Sequence, residues 1–197
     1  MRISKPRKRF SHRVEKLPSI PGGSYDDGIR DSKLVEQLGF GLTFWTHIEE
    51  AMIAVFSDLV SKDPINPARQ IFRSLSNNAS RIKVMKAMLQ RSPQNVCKGD
   101  FYDEAISEFE ALNGTRNAYT HGLWRTSTAD KKVYLMESTP DEFTFREARE
   151  VTPKEVGQFV DRLIAFNNKI KLRAYHDRMR RRSSPETLPP PDPEIKS

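Results

Sequence analysis

The segment Leu112-Asn113-Gly114-Thr115-Arg116-Asn117-Ala118-Tyr119-Thr120-His121-Gly122-Leu123-Trp124 sets three reactive residue types within six positions. Arg116 is a permanent cation and His121 exchanges protons near neutral pH. Asn117 donates and accepts hydrogen bonds at once. On a helix the five steps from Arg116 to His121 amount to about 500°, which leaves the two side chains roughly 140° apart. They do not stack, but a long Arg reaches back towards a His at the helix terminus. A helix C-terminus also favours protonated imidazole, a form suited to acid–base exchange. A structural reading uses the same residues. Arg116 then pairs with an acid such as Glu50, His121 caps the helix end, and Trp124 covers the core. The residues alone leave both readings open.

Other routes to chemistry are missing from the sequence. It has no Gly-rich phosphate loop, no Cys-x-x-Cys, no paired metal-binding His motif and no nucleophile-elbow serine. His12, His47, His121 and His176 are scattered, none with a second His at metal-ligand spacing. The expectation is therefore no metal and no cofactor. His47 precedes Glu50 by three residues and reads as one end of a surface hydrogen bond or salt link. His12 and His176 fall in basic segments and read as solvated. Cys97 is the single cysteine, so an intrachain disulfide is excluded; beside Lys98 and with no local base, it reads as an inert, reduced thiol.

The elements that must position Arg116 and His121 follow from apolar spacing. Leu38, Leu42, Trp45, Ile48, Met52, Val55 and Leu59 recur every three or four residues and mark a first helix. Asp31 or Ser32 caps its start and Pro64 lies beyond its end. Gly39 and Gly41 either weaken its first turns or permit a close helix contact. Asn66-Pro67 opens a second helix that carries Ile71, Phe72, Leu75, Ala79, Ile82, Met85 and Leu89 and stops before Pro93. A third begins after Asp100, turns Tyr102, Ala105, Phe109 and Leu112 inward, and runs to about His121, where Gly122 ends it. The period then changes. Val133–Met136 and Phe143–Phe145 flank a Pro140-Asp141 turn, which predicts a hairpin over about 132–147. Thr152-Pro153 opens a fourth helix with Val156, Phe159, Val160, Leu163, Phe166 and Ile170 inward, continuing through Leu172 and Tyr175. The expected fold is an all-α four-helix bundle, with the hairpin inserted before the last helix.

Charge separates the ends from the body. The 197 residues carry 33 Lys+Arg against 26 Asp+Glu, a net charge of +7. Residues 1–16 hold seven basic side chains and one acid, and so do residues 169–182, so each segment is +6. The intervening 17–168 is −3, and 183–197 is −2. Residues 1–30, with Pro18, Pro21, Gly22, Gly23 and Asp26-Asp27-Gly28, read as a basic flexible leader. Residues 31–182 read as the helical domain, and 183–197 as a Pro-rich disordered tail. The longest apolar run, Ala51 to Phe56, is far short of the ~20 residues of a membrane span, and no apolar stretch follows the basic N-terminus. No membrane contact and a cytoplasmic location are expected. The basic ends read either as solvated arms or as phosphate-tracking arms. The second reading nominates Arg7, Lys8, Arg9, Arg180, Arg181 and Arg182 for RNA binding.

Arg116-Asn117-Ala118-Tyr119-Thr120-His121 resembles the Arg-x4–6-His signature of HEPN-domain proteins, including the polar residue that commonly follows the Arg. An all-helical core with the signature late in one long helix is similar to that superfamily too. The resemblance covers about residues 32–175, and its specific part is those six residues. It implies a homodimer whose symmetric cleft gathers Arg and His from both chains. It also implies a metal-independent endoribonuclease, found as a toxin or in defence, sometimes with an antitoxin or other protein partner. Carried over, it makes His121 the acid–base group, with Arg116 holding the scissile phosphate and Asn117 orienting it. Attack by the ribose 2′-OH restricts the substrate to RNA. Other members of the superfamily are non-catalytic dimerisation or RNA-binding modules, and the same signature accommodates that alternative.

Overall fold

The computed structural model describes residues 24–60, 67–91, 100–136 and 148–183. These residues are mostly helical, with a small antiparallel sheet. In chain order they form β1 (Tyr25–Asp27), α1 (Ser32–Val60), α2 (Ala68–Ser74), α3 (Asn78–Arg91) and α4 (Phe101–His121). Then come β2 (Leu123–Ser127), β3 (Val133–Met136), β4 (Arg149–Glu150) and α5 (Pro153–Ser183). None of the described helices is long and apolar enough to cross a membrane. The chain divides into two compact units. A sheet unit takes the N-terminal residues up to 38 with 116–156, and a helical unit takes 39–115 with the residues from 157 on. Helices α1, α4 and α5 each run from one unit into the other.

The three long helices start where local chemistry satisfies their first N–H groups. Asp31 Oδ1 accepts from Leu34 N at 2.9 Å, and Thr152 Oγ1 accepts from Glu155 N at 3.2 Å. Glu104 N donates to the Asp100 carbonyl at 2.8 Å. In the helical unit, the apolar period delivers Trp45, Ile48, Met52, Val55 and Leu59 of α1 to the interior. Tyr102, Ala105, Phe109 and Leu112 of α4 join them, with Phe159, Leu163, Phe166 and Ile170 of α5. Trp45 stacks on Phe109, with centroids 5.5 Å apart and planes at 18°. Gly41 is the close helix contact that the sequence allowed. A Cβ there would stand 3.3 Å from both Phe159 Cε1 and Val160 Cγ2, whereas one at Gly39 would meet open space.

The segment after Pro67 departs from expectation. It forms two helices, not one, because Leu75 turns extended at φ −72°, ψ 121°. Ser74 Oγ donates to the Ile71 carbonyl at 2.7 Å, and Asn77 Oδ1 accepts from Ser80 N at 2.8 Å. Short polar side chains thus take backbone groups that a continuous helix would pair. Arg81 secures the break: it donates to the Phe72 carbonyl at 3.2 Å and to Glu49 Oε1 at 2.8 Å, and lies over the Phe72 ring. Phe72, Ile82 and Met85 are buried as expected, but Ile71 and Ala79 are exposed.

The sheet unit corrects two further expectations. Its strands run in the order β1-β2-β3-β4, all neighbours antiparallel. Tyr25–Asp27, placed by composition at the end of a flexible leader, is an edge strand in register with Arg125–Ser127. Its order comes from its neighbour: Ser24 and Thr128 hydroxyls meet at 2.8 Å, and Tyr25 sits edge-on to Tyr134. Val133–Met136 is a strand, but its described partners are β2 on one side and β4 on the other. The strand at Leu123–Ser127 was not foreseen. Phe143–Phe145 and the Pro140-Asp141 turn lie outside the described residues, as do residues 1–23, Cys97 and the tail from 184 on. Ser183, expected to begin that tail, is the last residue of α5.

Candidate functional site

Arg116, Asn117 and His121 occupy the last turns of α4, in the sheet unit. Arg116 is half-buried; Asn117 and His121 are exposed. Arg116 Nη1 donates to Asn117 Oδ1 at 3.1 Å, so these two act as one polar group. The helix is unbroken through both signature residues. His121 therefore stands about 7.5 Å further along the axis than Arg116 and roughly 140° around it. A single chain brings Arg116 to Asn117 but sets His121 on another face.

Two of the structural roles first open to these residues, the ion pair at Glu50 and the cap of α4, fall to others. Glu50, the suggested partner of Arg116 and of His47, is held by Arg69 and Arg73, each at 2.7 Å. Burial raises the Glu50 carboxyl, but hydrogen bonds and positive charge from Arg73 and Arg69 outweigh it and leave the group below its ordinary value. His47 instead packs its ring 5.1 Å from that of Phe44. The end of α4 is closed by the indole and not by the imidazole: Trp124 Nε1 donates to the Tyr119 carbonyl at 2.9 Å, beside Gly122 N donating to Ala118 at 2.9 Å. Trp124 also packs against Tyr119, with ring centroids 5.7 Å apart.

Gly122 makes the turn from helix to strand sterically feasible. A Cβ at this position would fall 2.4 Å from Leu135 Cδ1 and 2.6 Å from the Ala118 carbonyl oxygen. Only a residue without a side chain lets β2 leave α4 so directly.

A third group completes this end of the helix, and sequence reading did not find it. Tyr119 is buried and its hydroxyl donates to Glu155 Oε1 at 3.0 Å. Arg149 Nη1 donates to the same oxygen at 2.5 Å, and the guanidinium lies 6.0 Å from the Tyr119 ring centre. Burial, with the negative charge of Glu155, pushes the Tyr119 hydroxyl up to about 12. The last turn of α4 is thereby tied to β4 and to the first turn of α5. Thr152-Pro153-Lys154-Glu155 carries the spacing of a capping box, which was the legible signal. Its Glu carboxylate serves Tyr119 and Arg149 across the unit.

The residues nominated for RNA binding are divided. Arg7, Lys8 and Arg9 lie outside the described residues. Arg180, Arg181 and Arg182 fall on the last turn of α5. Of the other basic residues in that segment, Lys169 pairs with Glu104 at 2.7 Å and Arg173 lies 5.2 Å over the Phe101 ring. Lys169 and the Arg162–Glu108 pair also rim a groove of about 550 Å³ floored by Ala105 and Phe166. Among the described residues, no three His, Cys, Asp or Glu side chains are grouped so as to hold a metal ion.

No family model, curated protein or solved structure matches this chain. The reading of the site therefore rests on its own residues.

Proposed function

We propose that the chain is a metal-independent endoribonuclease of HEPN type, acting as a homodimer in a toxin or defence setting. The observation that carries this reading is the freedom of His121. Its capping role belongs to Trp124, and it stands exposed at the end of a helix that Tyr119, Gly122 and Trp124 hold in place. An exposed imidazole on a fixed support is what general acid–base catalysis needs. Arg116, coupled to Asn117, is a charged donor of the kind that stabilises a developing phosphorane. In this mechanism His121 takes the proton of a ribose 2′-OH as that oxygen attacks the adjacent phosphorus. The bond to the departing 5′ oxygen breaks, that oxygen takes a proton from water, and His121 returns its own proton to solvent. The products are a 2′,3′-cyclic phosphate and a 5′-OH. The roughly 140° between Arg116 and His121 on one helix is the reason a second chain enters the proposal: paired helices supply one residue from each.

The experiment is cleavage of single-stranded RNA by purified protein in EDTA. Cyclic-phosphate ends are the expected product, and His121→Ala or Arg116→Ala lowers the rate about 100-fold or more. Undiminished cleavage in both variants overturns these roles. The same angular separation favours a second reading, a non-catalytic HEPN-like RNA-binding or dimerisation module. It predicts salt-sensitive RNA retention with no new ends, weakened by deletion of residues 1–16.

A further inference from the structure

We draw no further inference here: the strongest candidate, the face of the sheet that carries Tyr25, Arg125 and Tyr134, has its guanidinium already paired with Asp27 and its two rings packed edge-on against each other, and nothing in the structure shows what covers it.

Discussion

The helical unit and the sheet unit are stabilised by different means. In the helical unit, large apolar side chains repeat every three or four residues and the interior follows from that period, with Phe109 against Trp45 among its aromatic pairs. In the sheet unit, the strands are two to five residues long and the decisive contacts are single groups: Gly122, the Trp124 indole, and the Tyr119–Glu155–Arg149 cluster. The first unit stores its stability in buried volume and the second leans on a few unique contacts, and the candidate site stands on the second.

Substitutions separate the two regimes. The largest loss is expected at Phe109→Ala, about 3–5 kcal/mol, because a fully buried ring leaves a cavity. Chemical denaturation measures it, and a loss under about 1 kcal/mol would show that the core collapses around the gap. Gly122→Ala comes next at roughly 1–3 kcal/mol, since its Cβ would overlap both Leu135 and a backbone oxygen. If cleavage falls further in this variant than its stability accounts for, the turn also sets the position of His121.

Tyr119→Phe should cost about 1 kcal/mol by leaving Glu155 with Arg149 alone. It also has a pH signature. A hydroxyl raised in the folded state to about 12 contributes stability that is complete below the unfolded value near 10 and lost as pH rises between the two. Melting curves of the parent protein should show that alkaline loss, and the Phe variant should lack this component. The smallest effect belongs to Glu50→Gln, within about 1 kcal/mol because its partners are exposed. The Glu50 carboxyl is lowered in the folded state, so its contribution is present above the unfolded value and fades as pH falls through the folded one. The Gln variant should flatten that part of the acid limb.

Legibility in the sequence did not follow that division. Asp31, Asp100 and Thr152-Pro153 marked helix starts that the structure places there, because capping is local chemistry. The Leu75 break was missed because Ile71, Leu75 and Ile82 keep a helical spacing through it, while Ser74 and Asn77 act through hydrogen bonds that spacing does not register. Strand β1 was missed because Tyr25-Asp26-Asp27 is too short and too acidic to signal a strand by itself. It is ordered by pairing with Arg125–Ser127, about a hundred residues away.

For the site, the sequence by itself determined that Arg116, Asn117 and His121 share one helix end, and that Arg116 and His121 are turned away from each other around its axis. Both are consequences of helical periodicity, which local sequence specifies. Only the tertiary structure decided who caps that end, where Glu50 is engaged, and that Tyr119 is tied to Glu155 and Arg149. Tyr119 meets Glu155 from another element, Glu50 meets Arg69 and Arg73 from another helix, and the Trp124 indole folds back over a helix-to-strand turn; no spacing along one strand or helix encodes such meetings.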